Sequence, residues 1–233
     1  MSRKPRKPGR PLGFDREAAL HQAMLLFWRH GYEATSVSDL TKAMGITPPS
    51  LYTAFGDKKQ LFLEAVHRYV SGPVTSESII REAPTAREAA AGLLQASVIG
   101  FTGESTPAGC LLASSTISCS PAAAEVQKAL AEIRLRIEKR LLSKITRDRA
   151  ISKLKPKPSA EALAGHIMAV IQGMSTLARD GATRAKLSSI ASAAMLAWPT
   201  QNEAVRASRQ RSRREGPTDA LRITKPDGSA TRR

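Results

Sequence analysis

Hydrophobic residues recur at helical spacing through most of residues 14–199, between short stretches that contain glycine, proline or a helix-capping side chain. Leu20, Ala23, Met24 and Phe27 fall at i, i+3, i+4 and i+7, so they share one helical face. This stripe predicts a helix that begins after the N-cap Asp15 and ends before a glycine at residue 31. Similar stripes along the chain predict an all-α fold of about nine helices.

The next segment predicts two short helices joined by a turn around Gly45. Ser36 is the expected N-cap of the first helix, and Asp39 completes a capping-box pattern. Thr47 is the expected N-cap of the second, with Pro48 at the first helical position, where its missing N–H costs nothing. This spacing is typical of a helix-turn-helix, whose second helix enters the DNA major groove. An ordinary helical hairpin is the alternative interpretation.

The remaining pattern predicts helices that are less sharply bounded. They are a fourth helix from Asp57 to about Gly72, one over Ala86–Phe101, a short one near Cys110, a long one from Ser120 to about Ile145, and two more over residues 159–180 and 183–198. Residues 147–158 are expected to form a basic loop.

Composition agrees with a helical protein, because 42% of residues are hydrophobic but only 4% are aromatic. Sandwiches and barrels draw on β-branched and aromatic residues instead. Two cysteines do not make a disulfide framework, and the basic N-terminus has no apolar run of a signal peptide behind it. We therefore expect a cytoplasmic protein with no membrane span and no cofactor or metal.

The formal net charge of +16 is concentrated at the two ends of the chain. Residues 1–13 hold five basic residues and no acid, and residues 200–233 hold nine basic and four acidic residues. We expect the first segment to be a flexible basic arm and the last to be a basic disordered tail. Such ends favour a polyanionic partner, either nucleic acid or an acidic membrane surface.

Residues 14–70 resemble the TetR/AcrR family of one-component transcriptional regulators. The resemblance is carried by residues 25–27, 31–37, 39–40, 43–46, 50–52, 55–58 and 61–62. A later piece, residues 172–173 and 178–182, resembles the C-terminal domain of one branch of the family. The resemblance implies a DNA-binding domain over residues 14–74 and a helical ligand-binding and dimerisation domain over residues 75–199.

The resemblance also implies which side chains contact DNA. Those expected at phosphates are Thr35, Tyr52 and Lys58. Those expected to face base edges are Pro48, Ser50 and Thr53. The two N-caps, Ser36 and Thr47, complete the set within the helix-turn-helix.

Alternatives remain open at several of these positions. Tyr52 is a core residue in the alternative interpretation, and Lys58 is an ordinary solvated lysine. The double proline at 48–49 departs from the family pattern and removes a backbone N–H, so direct readout rests on few residues. In the arm, Arg6 and Arg10 lie in a segment similar to the Gly-Arg-Pro core of AT-hooks, which suits a narrow minor groove. A generic basic tail is the alternative.

The back half is expected to form a homodimer, because a helix-turn-helix protein normally binds a palindromic site with two-fold symmetry. The candidate interface residues on the last two helices are Leu163, Ile167, Val170, Ile171, Met174, Leu187, Ile190 and Trp198. Internal core is the alternative for this stripe. By analogy with the family, the middle helices should enclose a pocket for an unknown small-molecule effector.

Cys110 and Cys119 are candidates for an effector or redox site. Cys110 is expected in the first turn of a helix, where the positive end of the dipole makes a thiol more reactive. It would then sense an oxidant or electrophile, or bind a soft metal such as Cu(I) together with Cys119. The alternative is that both cysteines are small buried hydrophobic residues.

These patterns predict a sequence-specific DNA-binding transcriptional regulator, a ligand-released repressor that binds a palindromic operator as a homodimer. A general architectural DNA- or RNA-binding protein that uses its basic ends is the alternative. We do not expect an enzyme, because the four histidines are scattered and the sequence has no nucleophile elbow, P-loop or H-E-x-x-H motif.

Deletion of residues 2–10 removes five basic residues, and it should weaken DNA binding while leaving the preferred sequence largely unchanged. Each phosphate-bound base contributes about 0.9 to the slope of log affinity against log salt. The slope, measured by fluorescence anisotropy from 50 to 200 mM salt, should therefore become shallower. An unchanged slope would show that the arm does not touch the phosphates.

Overall fold

The computed structural model describes residues 13–115, 120–153 and 159–199. These residues form eleven α-helices and one 3₁₀ turn (Pro121–Ala123), with no strand among them. The helices are α1 Arg16–His30, α2 Val37–Met44, α3 Pro48–Phe55, α4 Lys58–Val70, α5 Ser76–Glu82, α6 Ala86–Phe101, α7 Leu111–Ser114, α8 Ala124–Arg147, α9 Arg149–Ser152, α10 Ala160–Arg179 and α11 Arg184–Leu196. The all-α prediction is confirmed. The predicted arm up to residue 12, the predicted tail and Cys119 lie outside the described ranges.

Capping side chains begin the helices where the sequence predicts. Asp15 accepts hydrogen bonds from the N–H groups of Glu17 and Ala18 at the start of α1. Ser36 and Asp39 form both bonds of the capping box of α2, and Gly45 ends that helix in the left-handed conformation at φ 66°. At α4 the Asp57 carboxylate accepts the N–H of Gln60, which is one of the two bonds of the expected box.

Two helices were not predicted. α5 follows Thr75, whose side chain makes a capping box with Ser78, but Ile80 is the one fully buried residue of this seven-residue helix. So short a helix shows no repeating stripe. α9 lies inside the expected basic loop, so that prediction is wrong for residues 149–152. Asp148 accepts the N–H of Ala150 there and also the N–H of Ala86, which ties α9 to the start of α6.

Buried side chains form two hydrophobic clusters. The front core joins α1–α4 to Leu111 and Leu112 of α7 and to Val126 and Leu130 of α8. The back core joins α5, α6, α10 and α11 to the C-terminal half of α8. The front core therefore draws on residues on both sides of the boundary expected near residue 74.

The back core changes the interpretation of the predicted interface. Four of the eight candidates are buried within the chain itself: Ile167, Met174, Leu187 and Trp198. The prediction that these four contact a second subunit is wrong, because they already fill the space between α6, α8, α10 and α11. The other four are partly buried against the same core: Leu163, Val170, Ile171 and Ile190.

Within the described ranges, no helix is long and apolar enough to cross a membrane.

Gly109 and Gly181 both have positive φ, 79° and 87°, but their surroundings differ. A Cβ at Gly181 would meet open space, whereas one at Gly109 would lie 2.7 Å from the Ser175 carbonyl oxygen and 2.8 Å from Arg179 Cγ. Gly181→Ala should lower the free energy of unfolding by about 1 kcal/mol, the cost of the left-handed conformation. Gly109→Ala should cost about 1–3 kcal/mol more, because backbone must move. Urea unfolding measures both variants, and equal losses would contradict the expected collision.

Candidate nucleic-acid interface and adjoining cavity

The outer face of α3 is exposed, while its inner face is anchored in the front core. Leu51 and Phe55 are buried, with 0% and 4% of their surface exposed. Tyr52 is 51% exposed, so the alternative that it belongs to the core is wrong. Thr47 and Thr53 are also exposed, and α3 has no charged side chain. Its outer surface is therefore made of hydroxyls and proline rings.

The N-terminus of α3 has no free backbone N–H among its first three residues. Pro48 and Pro49 have none, and the Ser50 N–H is directed at Thr47 Oγ1 at 3.4 Å. Thr47 Oγ1 and Ser50 Oγ also lie 2.9 Å apart, within hydrogen-bond distance. Phosphate capture by backbone N–H groups, which a helix N-terminus ordinarily offers, is thus unavailable here. Polar contacts from this end must come from side-chain hydroxyls.

Two predicted DNA contacts are corrected by the structure. Thr35 is 1% exposed, and its hydroxyl donates to the Gly31 carbonyl oxygen at 2.6 Å. The backbone N–H and the hydroxyl of Ser36 both donate to Asp39 Oδ2, at 3.1 and 2.6 Å. The Ser36 hydrogen bonds lower the pKa of Asp39, which keeps this carboxylate ionised. Thr35 and Ser36 therefore stabilise the turn and the start of α2, and neither side chain has a donor left for a phosphate.

Lys58 is held in place at the start of α4. Its ammonium lies 4.6 Å from the centre of the Tyr32 ring and 3.5 Å from the Glu33 carbonyl oxygen. Burial lowers the pKa of Lys58, and the charge of Glu33 opposes that shift. The alternative of an ordinary solvated lysine is therefore wrong. Tyr32 in turn packs edge-on against Phe62, with ring centres 5.1 Å apart, so the cation is tied to the front core.

A cavity of about 580 Å³ lies behind this domain, between α4, α5, α6, α8 and α10. Its lining is mainly apolar and includes Val70, Leu93, Phe101, Leu112, Ile137 and Met168. This size and composition are typical of a small-molecule site. A cavity therefore lies among the middle helices, where a pocket was predicted. Trp28 and Tyr69, which belong to α1 and α4, also line it.

One wall of the cavity is also a junction between the front and back cores. The Trp28 indole N–H donates to the Gly109 carbonyl oxygen at 3.0 Å, and Trp28 packs edge-on against Tyr69. The Tyr69 hydroxyl donates to Cys110 Sγ at 3.4 Å. Burial raises the pKa of Tyr69, so the phenol keeps the proton that it donates. From α10, Arg179 donates to the carbonyl oxygens of Trp28 and Arg29 at the end of α1.

A second junction connects the turn before α2 to the start of α8. The N–H and the hydroxyl of Ser120 both donate to Glu33 Oε1, at 3.1 and 2.7 Å, and they lower the pKa of that carboxyl. Lys59 pairs with Glu125 nearby. The sequence analysis missed these junction residues, because no periodic pattern links positions so far apart in the chain.

The residues that carry this geometry match known regulators. Residues 19–65 match the family model for bacterial regulatory proteins of the tetR family. The repressor ComR of Escherichia coli K12 is 36% identical over 193 residues, which cover 82% of this chain and 92% of the relative. The chain belongs to the TetR family. Membership makes it a DNA-binding transcriptional regulator and not an enzyme, as predicted.

Solved structures agree with the TetR assignment. A cysteine-substituted form of the TetR-family regulator CifR, complexed with a 26-base-pair operator, is 37% identical with a TM-score of 0.76. The alignment covers 82% of this chain and all of that one. A TetR-type regulator from Rhodococcus sp. RHA1 is also 37% identical, with a TM-score of 0.55 over 80% of this chain and all of its own.

Cys110 does not lie in the first turn of a helix, the position predicted from the sequence. It precedes α7, which has only four residues, so little helix dipole acts on the thiol. It is half-buried beside Tyr69. The described ranges contain no group of three or more residues placed to hold a metal ion. Thiol sensing stays a prediction, and the geometry favours the alternative of a packed cysteine.

Cys110→Ser tests the thiol directly, with the TetR-type protein bound to its operator. If Cys110 senses oxidants, hydrogen peroxide or copper should release DNA from the wild type and leave the variant bound. A packed cysteine predicts equal behaviour of the two proteins in an electrophoretic mobility shift. Cys119→Ser, outside the described residues, is measured alongside as the second candidate, and equal behaviour of all three proteins would show that neither cysteine senses the effector.

Proposed function

We propose that this TetR-family regulator is a cytoplasmic repressor that binds a palindromic operator as a homodimer and is released by a small ligand. Residues 14–74 bind DNA, and residues 75–199 bind the ligand and the second subunit. The exposed, core-anchored α3 is the observation that carries the proposal. ComR of E. coli K12 is a named repressor and CifR was solved with operator DNA, which supports the same role here.

In this proposal α3 recognises bases through hydroxyls and apolar rings. The Thr53 hydroxyl donates to the Pro49 carbonyl oxygen at 2.8 Å, so toward DNA it acts as an acceptor. Acceptors match the amino groups of adenine and cytosine in the major groove. The rings of Pro48 and Pro49 offer apolar contact, which suits a thymine methyl group. The hydroxyls of Thr47 and Ser50 form one hydrogen bond with each other, which uses the proton of one of them. The proton of the other hydroxyl is left for a base or phosphate acceptor.

Phosphate contacts then fall to Tyr52 on α3 and to cations outside this helix. The exposed Tyr52 hydroxyl and the Lys58 ammonium are the two candidates that the geometry still supports. Lys42, exposed at the end of α2, is a further cation on this surface that the sequence analysis did not single out. Because α3 itself is uncharged, the arm with Arg6 and Arg10 supplies much of the long-range attraction to DNA.

The proposed dimer uses the faces of α10 and α11 that the back core leaves exposed. On α10 this face carries Ala162, Ala169 and Gly173, whose small side chains permit close approach of a second helix, and also His166. On α11, Leu196 is 79% exposed. The partly buried candidates flank these residues. Two-fold symmetry would set two α3 helices about one DNA turn apart, roughly 34 Å.

Ligand release follows from the cavity wall that both cores share. A ligand in the cavity would touch Trp28 and Tyr69, which also contact Gly109 and Cys110 across the junction. If the ligand prefers a spacing of the two α3 helices that does not match successive major grooves, the dimer leaves the operator. Such a shift requires different ligand affinities for the two states.

Tyr52→Phe should weaken operator binding about five-fold, because one hydrogen bond of about 1 kcal/mol to a phosphate is lost. Thermal unfolding of the variant should match the wild type, since the hydroxyl is exposed. The probe is DNA from upstream of the protein's own gene, measured against random DNA of equal length. Equal affinity for both DNAs would overturn the proposed sequence-specific binding to an operator in this DNA.

The proposed homodimer should have twice the 25.1 kDa chain mass in sedimentation, and a mass equal to one chain would overturn it.

A further inference from the structure

We propose that the cavity binds an organic anion with an apolar body, such as a medium-chain carboxylate, with its charged head at the α8 wall. This inference depends on the proposed function only where it concerns release from DNA, because ligand binding can be measured on the free protein. The inference follows from how the charges of the lining residues are distributed.

The apolar part of the lining sets the body of the ligand. α6 contributes Leu93 and Phe101, α10 contributes Met168 and Ile171, and the 580 Å³ volume falls in the range of sites for drug-sized molecules. Removing an apolar chain from water against these side chains supplies affinity without direction. The polar groups must therefore decide which head group is accepted.

Among the described residues that line the cavity, three carry a full charge at neutral pH: Glu77, Arg134 and Arg136. Glu77 forms an exposed ion pair with Arg140, whose guanidinium lies 3.0 Å from its carboxylate, so its negative charge is offset by a cation outside the lining. Arg134 donates to the Leu112 carbonyl oxygen, which is neutral and leaves the positive charge uncompensated. Arg136 is exposed and makes no hydrogen bond or ion pair within the described ranges.

The lining thus has an excess of positive charge on α8, next to the apolar side chains of Ile133 and Ile137. An arginine presents several N–H donors in a fork that matches a carboxylate. A cationic head group would meet two uncompensated guanidinium groups, and a neutral hydroxyl would gain only an uncharged hydrogen bond. An anion is the head group that this wall favours.

The experiment compares decanoate, decanol and decylammonium, which share one tail and differ in the head group. Binding to the full chain without DNA is measured by calorimetry below the concentrations at which the ligands aggregate. Decanoate should bind about ten-fold more tightly than decanol, as expected for a charge-assisted hydrogen bond. Decylammonium should bind most weakly. Equal binding of all three ligands would overturn the inference.

Arg136→Gln should remove most of the preference for decanoate over decanol, because the exposed guanidinium is not needed for folding. Lys139→Gln is the matched control, since Lys139 is exposed on α8 and does not line the cavity. Ala96→Phe, which fills the cavity from α6, should weaken decanoate and decanol alike. An unchanged preference in Arg136→Gln would show that the head group does not lie at Arg136. Unchanged binding in Ala96→Phe would show that the ligands bind outside the cavity and would overturn the inference.

Operator release separates this inference from the proposed function. Decanoate that binds with the expected preference but leaves the protein on its operator would count against release through the cavity, and the binding site would stand. Release by another small molecule, with no decanoate binding, would overturn the anion site and leave ligand-released repression intact.

Discussion

The hydrophobic core of the DNA-binding helices is completed by residues from the domain that follows. Leu111, Leu112, Val126 and Leu130 belong to the same buried cluster as Phe27 and Phe62. Separating the two parts would expose this apolar surface to water, which costs about 25 cal/mol per Å². The helix-turn-helix is therefore packed in a fixed position relative to α7 and the start of α8. Residues of α7 and α8 pack directly against α1 and α4 within one close-packed core.

Polar groups at the edge of this shared core give the contact a defined geometry. The Trp28 indole and the Gly109 carbonyl satisfy one another in a buried setting, where an unpaired group costs about 1–3 kcal/mol. Arg179 holds the last carbonyls of α1, a favourable place for a cation at a helix C-terminus. Because Tyr69 and Trp28 also line the cavity, a ligand bound there would touch the same residues that join the two cores.

Few polar groups on the surface around α2 and α3 remain free to bind DNA, because hydrogen bonds within the fold use the others. Of the polar side chains around α2 and α3, Thr35 and Ser36 are used by the turn and the cap, and Thr53 keeps only an acceptor. The two prolines remove the N–H groups that would meet a phosphate. In the proposed complex, affinity for the DNA backbone would therefore come from Tyr52 on α3, from Lys58 and from basic residues outside α3, with one hydroxyl proton of Thr47 or Ser50 also available.

Local rules explain what could be predicted: the caps at Asp15, Ser36 and Thr47 and the stop at Gly45 depend on residues within four positions, so the helix-turn-helix was visible in the chain. The apolar stripe of α10 was equally visible, but whether Ile167 and Met174 face a second subunit or their own core depends on where α6 and α8 pack. The burial of Thr35 and the charge on the cavity wall are decided in the same way. They require residues far apart in sequence to meet, and spacing along a chain carries no information about such meetings.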